Sequence, residues 1–554
     1  MASNAAFYHH PEGVATDGRR LMGRHVAGAG FLAGYARHAG VDRLFAYARD
    51  AGHFADFERR VRAANPMAPP ASWIRRGRLG ELAGPGCLAV PSPEIGALAW
   101  LRRHGDQRGF SLSGLFHTTA SDRAMDAIGD LAIAPLQAWD AVVCPSLAVR
   151  RTVEHVLERW SDYLASVAGA PIRPVVQLPV IPLGVDASAF APSPASRAEW
   201  RARLGVADDE PVVLYVGRLS YHAKANPFAM LVALEDAAAR LDRAVRLVLV
   251  GWFASPTIEA HVRRAIAALC RRVRVDIVDG RDEDARVGPW HAADVFVSLV
   301  DNVQETFGLS PLEAMASGLP IVASDWDGYR ETVRHGIDGF LVPTLAPPAG
   351  AGAEIAFRHV AGIDGYDRAI GGAAQSVAVD IGATRDAFVA LLGDADLRRR
   401  MSEAGRARAL AEYDWRVVVA RTQGLWTELA ERRGRDLERA ARGAGAPAHP
   451  LRDDPFAAFA HYPTSALALD VMLERVPGQG LEDAGAVSPL VDFAPYLLPS
   501  RARLERALDT LDDGPRSVGD LVTGLAAGEC RRLLRGLAWL AKIGAIRWRE
   551  GGPR

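Results

Sequence analysis

The stretch DNVQETFGLSPLEAMASGLPIVASDWDG, residues 301–328, decides the fold class. VFVSLV at 295–300 before it is an apolar run of strand length, and PIVAS at 320–324 inside it is a second. Between them SPLEAMAS reads as a short helix. Ser310 is predicted to cap it, Pro311 suits its first turn, and Glu313 stands three residues after the cap as a capping-box partner. Strand, loop, helix, strand is one unit of a parallel α/β sheet. The loop of such a unit lies at the carboxyl ends of the strands, where ligands bind. Gly308 lets the backbone approach a ligand closely, and the N–H groups of a helix start favour a phosphate. Two carboxylates, Glu305 and Glu313, stand on either side of that turn.

On both sides of this unit the same alternation recurs. AAFYHH, RLFAYA, CLAV, SGLFHT, AVVCPS and VVQLPVIP read as short buried strands in residues 1–195, with helices between them such as LMGRHVAGAGFLAGYARHA, whose small residues permit close packing. A Pro- and Ser-containing connector with a short helix, 192–210, comes next, and the pattern restarts with VVLYVGR, VRLVLVG and VRVDIV. Two doubly wound parallel-sheet domains in tandem, 1–195 and 196–432, are predicted to place a cleft between their strand ends. The Pro-, Gly- and Ala-rich residues 343–374 read as a long loop, with three helices after it up to residue 432. Residues 433–455 read as a flexible linker, and 456–554 as a separate, mostly helical domain with an end that fits a winged helix.

Composition sets outer bounds. A net charge of −1 over 554 residues gives no general attraction to nucleic acid or to an anionic membrane, so no nucleic-acid partner is expected. The arginines of the tail helix, Arg531, Arg532 and Arg535, read as a solvated face among many acids. The four cysteines have no paired spacing, which fits a reducing cytoplasm, and no apolar run approaches the ~20 residues of a membrane span. Peripheral contact with a membrane is left open. MASNAAFYHHPEG has no basic region followed by an apolar core and does not read as a signal peptide.

A glutamate, seven intervening residues and a second glutamate, with Phe-Gly inside and SGLPIVAS behind, resembles the retaining nucleotide-sugar glycosyltransferases of family 4, which have the GT-B fold. The resemblance is clear over about 110–432, strongest over 211–343, and does not reach the tail. It implies a nucleotide diphospho-sugar donor, an acceptor hydroxyl of unassigned kind, and transfer without a metal or other cofactor. It implies that Glu305 holds donor-sugar hydroxyls and Glu313 the ribose, with Thr306, Phe307, Gly308 and Leu309 lining the donor. In GRLSYHAKAN at 217–226, Arg218 and Lys224 are implied to hold the diphosphate, a notable place for one of only two lysines in the chain. His117 at a strand end is implied to face the sugar from the first domain, and Arg281 to lie where the base is cradled. The loop at 13–24 departs from the family's glycine pair. Asp17, Gly18 and Arg24 are nevertheless candidates for an acceptor or phosphate contact, with Arg19 and Arg20 beside them. No catalytic nucleophile is assigned. Two other readings stay open: a sugar-nucleotide epimerase or phosphorylase on the same fold, and a sugar-nucleotide-binding regulator that uses its tail.

Overall fold

The computed structural model describes residues 3–15, 23–485 and 488–549. The apolar runs become two six-stranded sheets. The first contains β1 (Ala6–His9), β2 (Leu44–Ala48), β3 (Ala71–Arg75), β4 (Cys87–Ala89), β5 (Ser111–Leu115) and β6 (Ala141–Val143), in the order β3-β2-β1-β4-β5-β6. The second contains β7 (Val212–Val216), β8 (Val245–Gly251), β9 (Val273–Asp279), β10 (Val295–Ser298), β11 (Ile321–Ser324) and β12 (Gly339–Val342), in the order β12-β11-β10-β7-β8-β9. All pairings within both sheets are parallel. Helices cover both faces, so strands are buried on both sides and read as continuous apolar runs. In β8 all seven residues are buried, and its one cation, Arg246, is neutralised by Asp276 at 2.9 Å and Glu210 at 3.3 Å. These are the two doubly wound domains of a GT-B architecture. Among the described residues no helix is long and apolar enough to cross a membrane.

Besides the start of the helix at 309, taken up below, the elements differ from the sequence reading in four places. ASWIR forms β3, which the flanking prolines of PMAPPA obscure in the sequence. VVQLPVIP makes only isolated bridges, from Gln177 to Ala141 and from Val180 to Cys144, because Pro179 and Pro182 lack the N–H a ladder needs. Residues 343–374 are not one long loop: they contain the helices Ala353–Val360 and Tyr366–Ala374. The helix Trp415–Arg435 ends inside the stretch read as linker, and the residues beyond it, up to His449, lie along the first sheet domain. There Arg433 Nη1 donates to Ser111 Oγ at 2.8 Å, Arg439 N donates to Gln137 Oε1 at 2.8 Å, and His449 stacks on Trp100 at 4.5 Å. The first compact unit accordingly runs from Met1 to His449 and the second from Pro450 to Arg554.

The helix Trp415–Arg435 crosses from the second sheet domain onto the first. Its first residue fixes that crossing. The Trp415 indole sits in a slot of three glycines, where an added Cβ would come within 2.9 Å of it at Gly30, 2.7 Å at Gly34 and 2.4 Å at Gly184. A buried pair, Arg102 and Asp140, joined at 2.7 and 2.6 Å, ties the helix Gly96–Arg102 to the start of β6. The N–H groups of Leu112 and Gln137 also donate to the Asp140 carboxylate, so each of its oxygens has two partners.

The second unit has its own core of Leu473, Leu504, Leu508, Leu533, Leu537, Leu540 and Ile546. Its helices Arg501–Asp512, Val518–Val522 and Ala527–Lys542 pack with a three-stranded antiparallel sheet. In that sheet Met472–Arg475 lies between Arg516–Ser517 and Ile546–Arg549.

Candidate active site

The carboxyl ends of β7 and β10 bring the predicted cations and carboxylates together. The turn after β7 carries Arg218 and Lys224, and the loop after β10 carries Gln304 and Glu305. Lys224 Nζ forms an ion pair with Glu305 Oε2. Arg218 Nη2 donates to Gln304 Oε1 at 3.0 Å and to the Ala223 carbonyl at 2.7 Å. Side-chain amides hold the loop in shape. Asn302 Nδ2 donates to the His222 carbonyl at 2.8 Å, its Oδ1 accepts from Gln304 N at 2.9 Å, and its own carbonyl accepts from Trp326 Nε1 at 3.1 Å.

Burial alone would raise Glu305. The Lys224 charge and hydrogen bond, with the N–H groups of Thr306 and Phe307, outweigh burial and hold this carboxyl below its ordinary value. Glu313 has no such partner. Burial pushes it up to about 7, against the pull of Lys224. Two carboxylates of one motif are thereby separated: Glu305 is an anion at neutral pH, and Glu313 is half-protonated there. Asp327 is also raised, first by burial and then by the Glu305 charge. Its Oδ2 is buried without a hydrogen-bond partner, and its backbone has φ 37°. Asp301 is pushed up to about 6 by burial, though the Asn226 N–H holds it at 3.3 Å.

The next helix is Leu309–Ala316, and its N-cap is Gly308, with no side-chain cap. The expected cap at Ser310 is therefore incorrect, and Glu313 is not a capping-box partner. The cause is Gly308. At φ 81° it turns the chain into the helix two residues earlier, and the Tyr329 ring fills the space a side chain would need, 2.2 Å from an added Cβ. Ser310 and Pro311 then fall in the first turn, where the missing proline N–H has no intrahelical role. Tyr329 is itself anchored by Ser298 Oγ at 2.9 Å. The resemblance puts Phe307 at the donor. Its ring is buried and packs against Tyr413 at 6.4 Å.

The first domain meets this loop through Thr306. Thr306 Oγ1 donates to the His117 carbonyl at 3.1 Å, and the Thr306 carbonyl accepts from Ser146 Oγ at 2.8 Å. Ser146 caps the helix Leu147–Ala168, whose Leu147 N–H donates to Glu331 Oε1 at 2.7 Å. His117, beyond the end of β5, is pushed down to about 4, first by burial and then by the charge of Arg24, so the ring is neutral at physiological pH. Arg24 thus lies near His117. Asp17 and Gly18, with Arg19 and Arg20, lie outside the described residues. Arg281 stands at the end of β9, exposed and paired with Asp279 at 2.5 Å. Leu309 is half-buried at the helix start. Sequence reasoning missed Gln304, Asp327 and Tyr329. Of these, only Asp327 carries a signal in the sequence, as an acid within DWDG directly after a predicted strand.

Among the described residues no group of three or more His, Cys, Asp or Glu side chains is arranged to hold a metal ion.

Residues 196–351 match the family of glycosyl transferases group 1. The chain is 30% identical over 260 residues to a D-inositol 3-phosphate glycosyltransferase of Xylanimonas cellulosilytica, covering 46% of this chain and 52% of that one. It is 30% identical over 254 residues to an alpha-maltose-1-phosphate synthase of Mycobacterium tuberculosis, covering 45% and 56%. It thus spans about half the length of these curated relatives. The crystal structure of Anabaena Alr3699/HepE in complex with UDP covers 76% of this chain and 98% of its own, at 16% identity and a TM-score of 0.48.

Proposed function

We propose that the chain is a retaining glycosyltransferase that moves a sugar from a nucleotide diphospho-sugar to an acceptor hydroxyl, with protein cations in place of a metal. The observation that carries this reading is the placement of Arg218, Lys224, Glu305 and the start of the helix Leu309–Ala316 around one pair of strand ends. The leaving diphosphate gains negative charge as the sugar bond breaks. Two cations and a helix N-terminus already fixed there stabilise it without rearrangement at the moment of reaction. Glu305, kept anionic by Lys224, accepts hydrogen bonds from sugar hydroxyls, and neutral His117 donates one from the opposite domain. Glu313 meets the ribose. The relatives are named glycosyltransferase and synthase, which agrees with transfer rather than epimerisation. Four free cysteines suit a reducing cytoplasm.

The test is a thermal-shift screen against UDP, GDP and ADP, followed by turnover of the matching sugar donor. One diphosphate at 100 times its dissociation constant should add roughly 2.7 kcal/mol of stability. Lys224→Ala should reduce that affinity roughly ten- to a hundredfold while sparing the bare nucleoside. Free diphosphate should be released fastest when an acceptor is present. Release that ignores the acceptor, or no shift with any of the three, refutes the reading.

A further inference from the structure

Residues 346–377 leave the second sheet domain and return to it. A short antiparallel pair, Thr344–Leu345 with Ala378–Val379, joins the two ends of this excursion. Most of it lies beyond residue 351, where the match to group 1 glycosyl transferases ends. It carries the helices Ala353–Val360 and Tyr366–Ala374. The first helix buries none of its own residues, and polar contacts reach out from it. Arg358 Nε donates to Asp364 Oδ2 at 2.6 Å, and His359 Nε2 bonds Asp122 Oδ1 of the first sheet domain at 2.8 Å. The second helix packs on the turn that carries Arg218 and Lys224, where a Cβ added at Gly371 would lie 2.9 Å from the His222 Cβ.

Tyr366, the first residue of that second helix, is half-buried. Burial raises its phenol above the ordinary value, against the pull of a hydrogen bond to the Thr118 side chain and of the Arg218 charge. The hydroxyl is therefore protonated at neutral pH and can donate. Its two neighbours belong to different domains. Thr118 adjoins His117 in the first, and Arg218 stands in the diphosphate turn of the second. Arg218 bonds neutral groups, the Gln304 amide at 3.0 Å and the Ala223 carbonyl at 2.7 Å, and among the described residues no carboxylate pairs with it.

We propose that Tyr366 is a donor-binding residue, whose phenol O–H donates to an oxygen of the sugar-bearing phosphate beside Arg218. The inference rests on the glycosyltransferase reading, to which it adds a residue from outside the family-matched segment. A phosphate oxygen at Arg218 is a stronger acceptor than the neutral Thr118 hydroxyl, because it is charged. The exchange of partners is local, since the helix is already packed against the diphosphate turn at Gly371. Thr118 adjoins His117, so the hydroxyl lies on the side of the diphosphate that meets the sugar in that reading.

Titration of the full-length protein with UDP, GDP and ADP, and then with the matching monophosphate, tests this. Tyr366→Phe keeps the ring and its packing, and the free variant should melt with the wild type. It should weaken the diphosphate that the wild type binds roughly five- to thirtyfold and leave the monophosphate within about twofold. Thr118→Val removes the hydroxyl's present partner and should leave diphosphate affinity unchanged or raise it. Unchanged diphosphate affinity in Tyr366→Phe overturns the assignment. So does an equal loss of mono- and diphosphate, which would place the effect on the turn itself. A loss of diphosphate affinity in Thr118→Val overturns it as well, because the hydroxyl would then act by bonding the first domain. That arm stands even if the phenylalanine variant does not fold. If the wild type binds none of the three diphosphates, the glycosyltransferase reading fails, and this assignment with it.

Discussion

Glu305 and Glu313 belong to one motif, yet their surroundings make them different acids. Glu305→Gln breaks the pair with Lys224 and leaves that cation free for phosphate. Affinity for free nucleoside diphosphate should hold or rise, while turnover of the intact donor should fall at least tenfold, measured by titration and steady-state kinetics; weaker diphosphate binding would reverse the assigned roles. Glu313 makes a pH prediction. Its folded value, about 7, lies above its ordinary 4.5. The folded protein therefore binds the proton more tightly than the unfolded chain, and stability from this group is lost as pH rises from about 4.5 through 7. Glu313→Gln removes that loss. In urea, the variant should gain on the wild type by about 1–3 kcal/mol between pH 5 and pH 8.5. A difference that does not change with pH would place Glu313 in a wetter setting. The two carboxylates and two cations were legible because they form a spaced string of residue types. Asp327 shows in the sequence only as an acid after a strand; its buried unpaired oxygen does not, because burial comes from the packing of distant segments.

At the scale of elements, the sequence was read most reliably where a strand is a plain apolar run, as in β7, β8 and β10. It was misread where proline lies beside or inside the run. ASWIR is a strand despite its neighbours, and VVQLPVIP fails as one because of its own prolines. The start of the helix Leu309–Ala316 was placed late because Ser310 is a good cap in isolation. Gly308 pressed on Tyr329 overrides that local preference. The small residues of the first helix were read as permitting close packing, but what packs there, Trp415, lies far along the chain and no local rule reveals it. The slot makes a direct prediction. Gly34→Val places methyls where the indole stands and should cost about 1–3 kcal/mol in urea unfolding. Gly424→Ala, on the same crossover helix but with nothing within 4 Å of an added Cβ, should be neutral or slightly stabilising. Equal effects from the two substitutions would mean that the crossover is not held by this contact.

For the whole molecule, alternation of strand and helix was enough to foresee two parallel sheets, but not where the catalytic unit stops. Composition marks 433–455 as linker because the segment is rich in Arg, Ala, Gly and Pro. Those features describe the side chains and not their contacts, and up to His449 the contacts are with the first sheet domain. Arg433 reaches Ser111 at 2.8 Å, Arg108 Nη2 donates to the Asp436 carbonyl at 2.7 Å, and Gln137 Nε2 donates to the Arg439 carbonyl at 3.0 Å. Each partner side chain belongs to the region around β5 and β6 that also holds the buried Asp140. Removing the strap leaves Gln137, wholly buried, short of the backbone groups that satisfy its amide. Two truncations therefore differ. A chain ending at His449 keeps the first unit whole and should retain nucleoside diphosphate affinity within about twofold, with a melting temperature within a few degrees of the full-length protein. A chain ending at Arg432 loses the strap, and several hydrogen bonds at about 1 kcal/mol each should lower its stability by about 3 kcal/mol or more. Calorimetry and diphosphate titration of both chains decide the matter: equal stability would restore the boundary at 432, and loss of nucleotide binding in the chain ending at His449 would make the second unit part of the catalytic one.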